Sequence, residues 1–352
     1  MYILGRCINS SNPPYIIAEV SANHNGNIAK AKKCISAAKS AGAHAVKIQT
    51  YEPQTMTINS SKDDFLVKGG LWDGYTLFDL YSEAQTPFAW HQELFDHAKK
   101  IGITLFSTPF DETAVDLLES LDAPAYKIAS FELTDVKLIE RVAATGKPLL
   151  MSTGMATYDE ISEAVNCARM NGAKEILLFH CISSYPAPIE KSNLKSIQSL
   201  QQKFDVEVGL SDHTLGNIAA ISSVAIGATA IEKHFTLDKS DKGHDSAFSI
   251  NPVELKKLVL ETSQTWKSLG TGELNRQSCE NSSLIFRRSL YFVRDHKAGD
   301  KITLNSIKRI RPGYGLPPKY QDKIIGLKVS HDVKRGDRVT ADAILGLSLE
   351  KN

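Results

Sequence analysis

The sequence predicts a (β/α)8 barrel followed by a small β-rich domain. Short β-prone apolar runs alternate with amphipathic helical patterns up to about residue 270, and this alternation is typical of parallel strands joined by crossover helices. Eight such units occupy about 255 residues, which matches the size of such a barrel. No GxGxxG motif follows the first predicted strand, so the alternative, an open doubly wound sheet, is disfavoured.

The eight predicted strands are short runs rich in β-branched, aromatic and other apolar residues. They are Tyr15–Ala22, Ala45–Gln49, Thr104–Thr108, Ala125–Ala129, Pro148–Ser152, Ile176–Cys181, Val206–Ser211 and Ala230–His234. The predicted helices between them repeat apolar residues at helical spacing. They include Ile28–Ala41, Phe88–Lys100, Thr113–Leu121, Lys137–Ala144, Tyr158–Met170 and Pro252–Leu269.

Two stretches interrupt the alternation of strands and helices. Residues 52–87 separate the second strand from its helix and contain the Gly-rich, aromatic run KGGLWDGYTLFDLY, which predicts a lid or a binding loop. After Leu269 the polar run GTGELNRQSCENSS predicts a linker. We therefore predict a barrel domain at 1–269, a linker at 270–284 and a β-rich domain at 285–352, which is small enough to depend on a partner surface.

The composition narrows the classes of function. The chain has 352 residues, with 41 Lys and Arg against 40 Asp and Glu, so no overall field attracts nucleic acid or an anionic membrane. No apolar run approaches the roughly 18 residues of a membrane span, and the N-terminal residues do not resemble a signal peptide. Five cysteines without paired spacing do not predict a disulfide framework. These features predict a cytoplasmic protein.

Polar residues collect at the carboxyl ends of the predicted strands, the edge at which such barrels build active sites. A purely structural barrel would show apolar residues there, so this pattern predicts an enzyme. The residues are Glu19, Lys47, Gln49, Ser107, Thr108, Lys127, Ser130, Ser152, His180, Ser183, Ser211, His213, Glu232 and His234.

Two lysines lie within apolar strand runs, Lys47 in AVKIQ and Lys127 in AYKIAS, where an unpaired ammonium group is costly. Two cations that face one cavity predict a substrate with two negative charges, such as a phosphate and a carboxylate. One charge pair at 4 Å is worth about 4 kcal/mol at an effective dielectric constant near 20. Serine hydroxyls can donate to the same oxygens. The alternative is that the lysines only form structural pairs with glutamates.

Two histidines, His213 and His234, end the adjacent seventh and eighth strands and predict a shared metal ion. With only two protein ligands, water and substrate complete the coordination shell, which suits Mn2+ and also admits Mg2+ or Co2+. Glu19 is then a candidate base for a water molecule or hydroxyl beside the metal. The alternative is that each histidine is a hydrogen-bonded residue of the core.

The run RPGYGLPP in the small domain places Arg311 on a turn shaped by Gly and Pro. A guanidinium there can donate several hydrogen bonds to the amide or hydroxyl oxygens of a sugar. The alternative is that Arg311 pairs with a surface carboxylate.

Several of these segments resemble the sialic acid synthases over nearly the whole chain. They are AEVSANHNGN (18–27), KIQTY (47–51), FSTPFDE (106–112), YKIAS (126–130), STGMA (152–156), GLSDHT (209–214), IEKHFT (231–236), FRRSLY (286–291) and IRPGYGLPPKY (310–320). In that family a barrel that condenses phosphoenolpyruvate with an amino-sugar aldehyde is followed by an antifreeze-like (SAF, β-clip) domain. The resemblance therefore implies a metal-dependent transferase with this pair of domains.

The resemblance also assigns roles to individual residues. It implies that phosphoenolpyruvate is held by Lys47, Ser107, Lys127, Ser130, Ser152, Ser183 and Ser211, with Thr108 beside them. The sugar would contact Gln49, Glu132, Tyr185 and Asp245. Glu232 would support the region where metal and substrate meet. The family also implies a domain-swapped homodimer in which Arg311 lies over the partner's Asp245.

Three sequence runs bear on the identity of the acceptor sugar. The KGGLWDGYTLFDLY, DSAFS and RPGYGL runs favour a 6-deoxy diacetamido sugar. The family association suggests that the product modifies flagellin or a surface polysaccharide, although the sequence itself does not reveal its destination. Ile182, where the family commonly has Thr, and His244, where Pro is more usual, depart from its pattern. The alternatives are synthesis of N-acetylneuraminate or legionaminate by the same chemistry, a phosphosugar aldolase with a Schiff base on Lys127, and a non-catalytic carbohydrate-binding protein.

Overall fold

The chain forms two compact units, as a computed structural model that describes residues 1–241 and 243–348 shows. The first unit is Met1–Thr271 and the second begins at Gly272. The boundary lies two residues beyond Leu269, where the amphipathic helical patterns of the sequence stop.

The first unit is a closed barrel of eight parallel strands, so the predicted fold class is confirmed. The strands are Tyr15–Glu19, Ala45–Thr50, Thr104–Pro109, Tyr126–Ile128, Leu149–Ser152, Ile176–Cys181, Glu207–Asp212 and Ala230–His234. The last strand pairs with the first, which brings His234 opposite Glu19 in the register. The first strand is shorter than predicted because Ser21–His24 turn into a 3-10 helix.

The helices of the first unit cover the outside of the barrel. The long ones are Ile28–Ala41, His91–Ile101, Glu112–Ser120, Val136–Ala143, Tyr158–Met170, Ser196–Phe204, Ile218–Ala225 and Pro252–Leu269. Side-chain caps mark the starts of several of these helices. Asn251 accepts hydrogen bonds from the amides of Val253 and Glu254, and the Asn251 amide donates a hydrogen bond to the Glu254 carboxylate. Among the described residues, no helix is both long and apolar enough to cross a bilayer.

Alternate residues of each strand face opposite sides of the barrel wall. Ile16, Val46 and Leu105 belong to the large apolar core between the barrel and its helices. Their immediate neighbours in the sequence, Ile17, Ala45 and Phe106, belong to the core inside the barrel. A short N-terminal hairpin, Tyr2–Ile3 with Arg6–Cys7, adds Ile3 to that interior core.

The insertion at 52–87 contains regular structure that the sequence analysis did not predict. It holds short helices at Pro53–Met56 and Leu77–Ala84. Thr76 caps the second of these, its hydroxyl accepting a hydrogen bond from the Asp79 amide. The sequence predicts a loop here because the aromatic and glycine residues of the stretch obscure an eight-residue helix.

The second unit is β-rich, as predicted. Its strands are Ser289–Phe292 with Ile307–Ile310 and Lys328–Val329 with Ile344–Leu345, both pairs antiparallel. A small core built from Leu290, Phe292, Ile307 and Val329, among others, holds them together. A 3-10 helix at Ser278–Phe286 precedes the first strand, so the last part of the predicted linker has regular structure.

Candidate active site

Four charged side chains lie inside the barrel at the carboxyl ends of its strands. Glu19, Lys47, Lys127 and Glu232 are each at most 5% exposed. They sit on interior-facing positions because each follows, by two residues, an apolar residue of the interior core: Ile17, Ala45, Ala125 and Ala230. The alternation of the strands therefore places all four around one space.

Glu232 bridges the two lysines. One of its oxygens, Oε2, lies 2.9 Å from Lys127 Nζ, and the other, Oε1, lies 3.8 Å from Lys47 Nζ. Ser211 donates a further hydrogen bond to Oε1 at 3.3 Å. Burial lowers the pKa of Lys127, whereas for Lys47 the neighbouring carboxylates of Glu19 and Glu232 outweigh burial and raise the pKa. Two ammonium groups thus share one carboxylate, and an entering anion can compete for both.

Glu19 completes this network. Its Oε2 lies 2.7 Å from Lys47 Nζ, while its Oε1 has no hydrogen-bond partner among the described residues. Burial raises the pKa of Glu19 to about 7, against the opposing effect of the Lys47 charge. A carboxyl group with a pKa near neutrality can take up and release a proton at physiological pH, as a general base requires.

An aromatic ring forms the floor of the charged layer. Lys127 Nζ lies 4.4 Å from the centre of the Phe179 ring, which gives a cation–π contact. Gly209 makes room for that ring, since a β-carbon there would come within 2.7 Å of it. Phe179 is not among the site residues predicted from the sequence. Its interior position, two residues before Cys181 on the sixth strand, was the available signal.

Hydroxyl groups gather beside the lysines. Thr108 accepts a hydrogen bond from Lys47 Nζ at 2.9 Å, and buried Ser152 lies on the interior side of its strand, two residues after Leu150. Ser130 and Ser183 converge on Gly154, where an added β-carbon would lie 2.7 Å and 2.2 Å from their Oγ atoms. Gly154 therefore keeps space between two hydroxyls that can donate to an anion. This glycine belongs to the STGMA run, but the run by itself does not predict that role.

Ser107 does not join this group. Its hydroxyl lies 2.6 Å from Thr50 Oγ1 and 3.0 Å from the Ile48 carbonyl, while Thr50 contacts His91 of an outer helix. This corrects the predicted contact of Ser107 with phosphoenolpyruvate. The alternation of the strand puts Phe106 and Thr108 inside and Ser107 outside. His180 likewise points outward, to the Ser192 carbonyl at 2.7 Å.

The two histidines come together as predicted. The ring centres of His213 and His234 are 5.4 Å apart. Nδ1 of His213 lies 3.0 Å from the Ile182 carbonyl, a backbone contact that does not depend on the side chain at 182. Buried Nδ1 of His234 has no hydrogen-bond partner in the described residues and lies 3.6 Å from Asp245 Oδ2.

These two histidines fit a divalent metal ion. A backbone partner on Nδ1 of His213 leaves the other ring nitrogen free for a ligand. Burial lowers the pKa of His234 well below its ordinary value, so that its imidazole is neutral, the form that binds metal. Within residues 1–241 and 243–348, no cluster of three or more His, Cys, Asp or Glu suited to a metal is found, so the fit to an ion rests on these two imidazoles.

The other end of the site is aromatic. Tyr185 packs 4.3 Å from His213 and 5.3 Å from Phe248, measured between ring centres. The ring of Trp72, from the insertion, lies 5.9 Å from the Tyr185 ring. Asp245 is buried beside this cluster, and burial raises its pKa against hydrogen bonds from the Ser21 hydroxyl and the Ala22 amide. This arrangement offers an apolar wall and an acceptor group within one subsite.

The remaining predicted residues occupy three different settings. Gln49 follows Lys47 by two residues and shares its face of the second strand. Glu132 is half-buried, its Oε2 has no hydrogen-bond partner in the described part of the chain, and burial raises its pKa to about 7. Arg311 is exposed in the second unit, immediately before a cis Pro312. Apart from Ser107 and His180, the predicted residues of the first unit thus lie at or near the barrel mouth.

Comparison with family models gives two matches. Residues 34–274 match the NeuB family, and residues 287–345 match the SAF domain.

Characterised relatives cover almost the whole chain. It is 44% identical over 329 residues to the pseudaminic acid synthase of Campylobacter jejuni, covering 94% of this chain and 96% of that protein. It is 44% identical over 334 residues to the enzyme of the same name from Helicobacter pylori, covering 94% and 98%. Among solved structures, the N-acetylneuraminic acid synthetase of Leptospira borgpetersenii in complex with citrate matches with a TM-score of 0.73 and 32% identity, over 81% of this chain and 94% of that one.

Proposed function

The chain belongs to the NeuB family, and from this premise we propose that it catalyses pseudaminic acid synthesis. In this reaction phosphoenolpyruvate condenses with 2,4-diacetamido-2,4,6-trideoxy-L-altropyranose, and phosphate leaves. That the chain is a transferase that condenses phosphoenolpyruvate follows from its family and its relatives. The observation that carries the finer assignment is the 44% identity to two pseudaminic acid synthases across nearly their full lengths.

The charged layer supports the binding of phosphoenolpyruvate. The substrate is an anion, and Lys47 and Lys127 supply two buried cations that are both in reach of Glu232. Ser130, Ser152, Ser183 and Ser211, with Thr108, would donate hydrogen bonds to its oxygens. Holding both reactants in one cavity can lower the barrier by about 7–11 kcal/mol through effective molarity.

The reaction would then proceed by carbon–carbon bond formation and hydration. C3 of phosphoenolpyruvate attacks the aldehyde carbon of the open-chain sugar, and an oxocarbenium ion develops at C2. Glu19 removes a proton from water, which adds at C2. The new C2 hydroxyl then loses its proton as the C–O bond to phosphate breaks, so that a keto group forms and phosphate leaves, while the former aldehyde oxygen takes up a proton and becomes a hydroxyl. The pKa of about 7 and the unpartnered Oε1 of Glu19 support its role as this base.

A divalent ion bound to His213 and His234, most simply Mn2+, would orient the sugar aldehyde and polarise it. Tyr185, Gln49, Glu132 and Asp245 would position the rest of the sugar. Chelation by EDTA should abolish activity, and His213→Ala or His234→Ala should lower the Mn2+ content measured by mass spectrometry. His331→Ala, a change at an exposed histidine, is the matched control and should keep the metal. Full activity after chelation would rule out this part of the proposal.

Two assays test the overall reaction. Phosphate release should be faster with the 6-deoxy diacetamido sugar than with N-acetylmannosamine or the legionaminate precursor. One methyl contact alone gives about 10- to 200-fold discrimination. With phosphoenolpyruvate labelled with oxygen-18 at the bridging position, the label should appear in phosphate. Label retained in the sugar product would exclude C–O cleavage. A lysine adduct trapped by borohydride would favour an aldolase instead.

We further propose that the enzyme is a homodimer in which the small unit of one copy covers the barrel of the other. Charge supports this pairing: residues 272–352 carry 16 Lys and Arg against 9 Asp and Glu, or +7, whereas residues 1–271 carry 25 against 31, or −6. Arg311 would contact the partner's Asp245. Mixing inactive Arg311→Ala with inactive Glu19→Gln should restore activity, because one site of the mixed dimer is intact. No recovery after verified subunit exchange would contradict the arrangement.

A further inference from the structure

The insertion is fastened to the barrel beside the aromatic subsite by four residues, Trp72, Tyr75, Glu83 and His244, which we call the clasp. Nε2 of His244 lies 3.1 Å from Glu83 Oε2. The Tyr75 hydroxyl donates to the same Glu83 oxygen at 3.2 Å, and the Tyr75 ring meets the His244 ring edge-to-face at 5.6 Å. Trp72 Nε1 donates to the His244 carbonyl at 3.2 Å.

The clasp contacts the subsite through two of its residues, Trp72 and His244. Its Trp72 ring lies 5.9 Å from Tyr185, which in turn packs on His213 and Phe248. Its His244 directly precedes Asp245, whose carboxylate lies 3.6 Å from Nδ1 of His234. One set of contacts therefore fixes both an aromatic ring and the chain that carries a buried carboxylate next to the subsite.

The tip of the insertion needs such an attachment. Residues 69–71, 73 and 74 are exposed. The backbone hydrogen bonds of the tip join residues within the tip itself. The Val67 amide donates to the Tyr75 carbonyl at 2.9 Å, and the Gly74 amide donates to the Val67 carbonyl at 3.0 Å. These bonds shape the turn and leave its position relative to the barrel to side-chain contacts such as those of Trp72 and Tyr75.

We propose that Glu83 and His244 are positioning residues that determine acceptor specificity, by holding Trp72 over the sugar subsite so that its ring faces an apolar edge of an amino sugar. This proposal rests on the proposed function for the identity of the acceptor. The ion pair is half-exposed, with 20% of the His244 side chain and 56% of the Glu83 side chain accessible, so its effect is modest. The ion pair acts on the sugar only through Trp72, because the Trp72 ring supplies the contact with the sugar.

The test compares His244→Ala, Glu83→Gln and the double variant with Asp63→Asn. Asp63→Asn is the matched control, since it removes an exposed ion pair with Lys68, 3.3 Å long, within the same insertion. The KM for the 6-deoxy diacetamido sugar should rise about 3- to 10-fold in each single variant, while kcat and the KM for phosphoenolpyruvate stay within about twofold. The double variant should be no worse than the worse single one, because both changes break the same contact.

Two further variants separate positioning from general stability. Trp72→Ala should raise the sugar KM at least as much as His244→Ala, and Trp72→Phe should restore most of the loss because it keeps an aromatic face. Additive effects of Glu83→Gln and His244→Ala, or an equal rise in KM in Asp63→Asn, would overturn the proposal.

Hydrogen exchange gives a readout that does not depend on the substrate. Amides of residues 66–76 should exchange faster in His244→Ala and Glu83→Gln than in the wild type and in Asp63→Asn. If no acceptor sugar is turned over by the wild type, the proposed function fails, and the clasp is then judged by exchange alone. Unchanged exchange in both clasp variants would show that these residues do not hold the insertion.

Discussion

The lower and upper parts of the barrel interior are carried by the same strands and differ completely in chemistry. Lower positions are apolar, among them Ala45, Phe106 and Leu150. One step of two residues higher, the interior holds two lysines and two glutamates, all buried. A folding core alone would not select buried charges, since each loses its hydration and must be compensated by a partner. The contrast indicates that the lower layer serves stability and the upper layer serves binding and catalysis.

The largest expected effect comes from the upper layer. Glu19→Gln removes the proton acceptor but keeps the size and polarity of the side chain, so kcat should fall by about 10²- to 10⁴-fold. The KM for phosphoenolpyruvate should change little, because Lys47 keeps Glu232 within 3.8 Å. Steady-state kinetics with phosphate detection provide the measurement. Normal turnover would mean that another group or bulk water performs this step.

Lys127→Ala tests the binding of phosphoenolpyruvate and not the catalytic step. The variant leaves the Glu232 carboxylate without its 2.9 Å partner, and breaking a buried pair in this way costs about 3–5 kcal/mol of stability. An anion entering the site also loses a counter-charge, so the KM for phosphoenolpyruvate should rise strongly. Denaturant unfolding and kinetics on the same preparation measure both effects. An unchanged KM would place the phosphoenolpyruvate site elsewhere.

The reverse pattern is expected in the lower layer. Leu150→Ala removes a fully buried side chain from the interior core, which should lower the free energy of unfolding by about 2–5 kcal/mol. The kinetic constants of the folded enzyme should stay the same, because Leu150 lies below the charged residues. A large loss of kcat in molecules shown to be folded would contradict the assignment of the lower layer to stability alone.

The smallest predicted effect concerns pH and lies outside the site. His44 accepts a hydrogen bond from the Ile16 amide on Nδ1 at 2.8 Å and stacks on Tyr15, and burial lowers its pKa from 6.5 to about 4. The unfolded chain therefore binds the proton more readily than the folded chain between these values. This contribution to stability is complete above pH 6.5 and is lost as the pH falls toward 4.

Thermal unfolding between pH 7 and 4 measures this effect. After allowance for the partial exposure of the ring, we expect His44 to account for about 1–2 kcal/mol of the acid-induced loss. His44→Gln should flatten the pH dependence of unfolding without affecting the kinetics at neutral pH. A profile identical to that of the wild type would show that His44 does not titrate in this range.

Much of this contrast could be predicted from the sequence. Lys47 and Lys127 stand out because a charge within an apolar strand run is rare, and the strand ends of a barrel converge at one edge. The paired histidines could be predicted for the same reason. The position of Ser107 could not be predicted from its nearness to the strand end alone. The alternation that puts Phe106 inside the barrel puts Ser107 outside.

Other features depend on contacts between distant segments. The pair of Glu83 and His244 joins residues 161 positions apart, and Trp72 meets Tyr185 across more than a hundred residues. No local pattern of hydrophobicity or spacing encodes such contacts. The need for glycine at 154 and 209 is likewise visible only when the neighbouring side chains are in place.

One variant tests most directly whether the upper layer exists for binding. Lys127→Met combined with Glu232→Leu replaces a buried ion pair by apolar side chains of similar size and leaves Lys47 paired with Glu19 at 2.7 Å. Such replacements are often neutral or stabilise a protein by about 1–4 kcal/mol. Calorimetry on one preparation should show an unchanged or higher Tm together with the loss of phosphoenolpyruvate binding. If the variant still binds phosphoenolpyruvate and its Tm is markedly lower, the buried charges stabilise the fold and are not needed for binding, which would contradict the role proposed here for the upper layer.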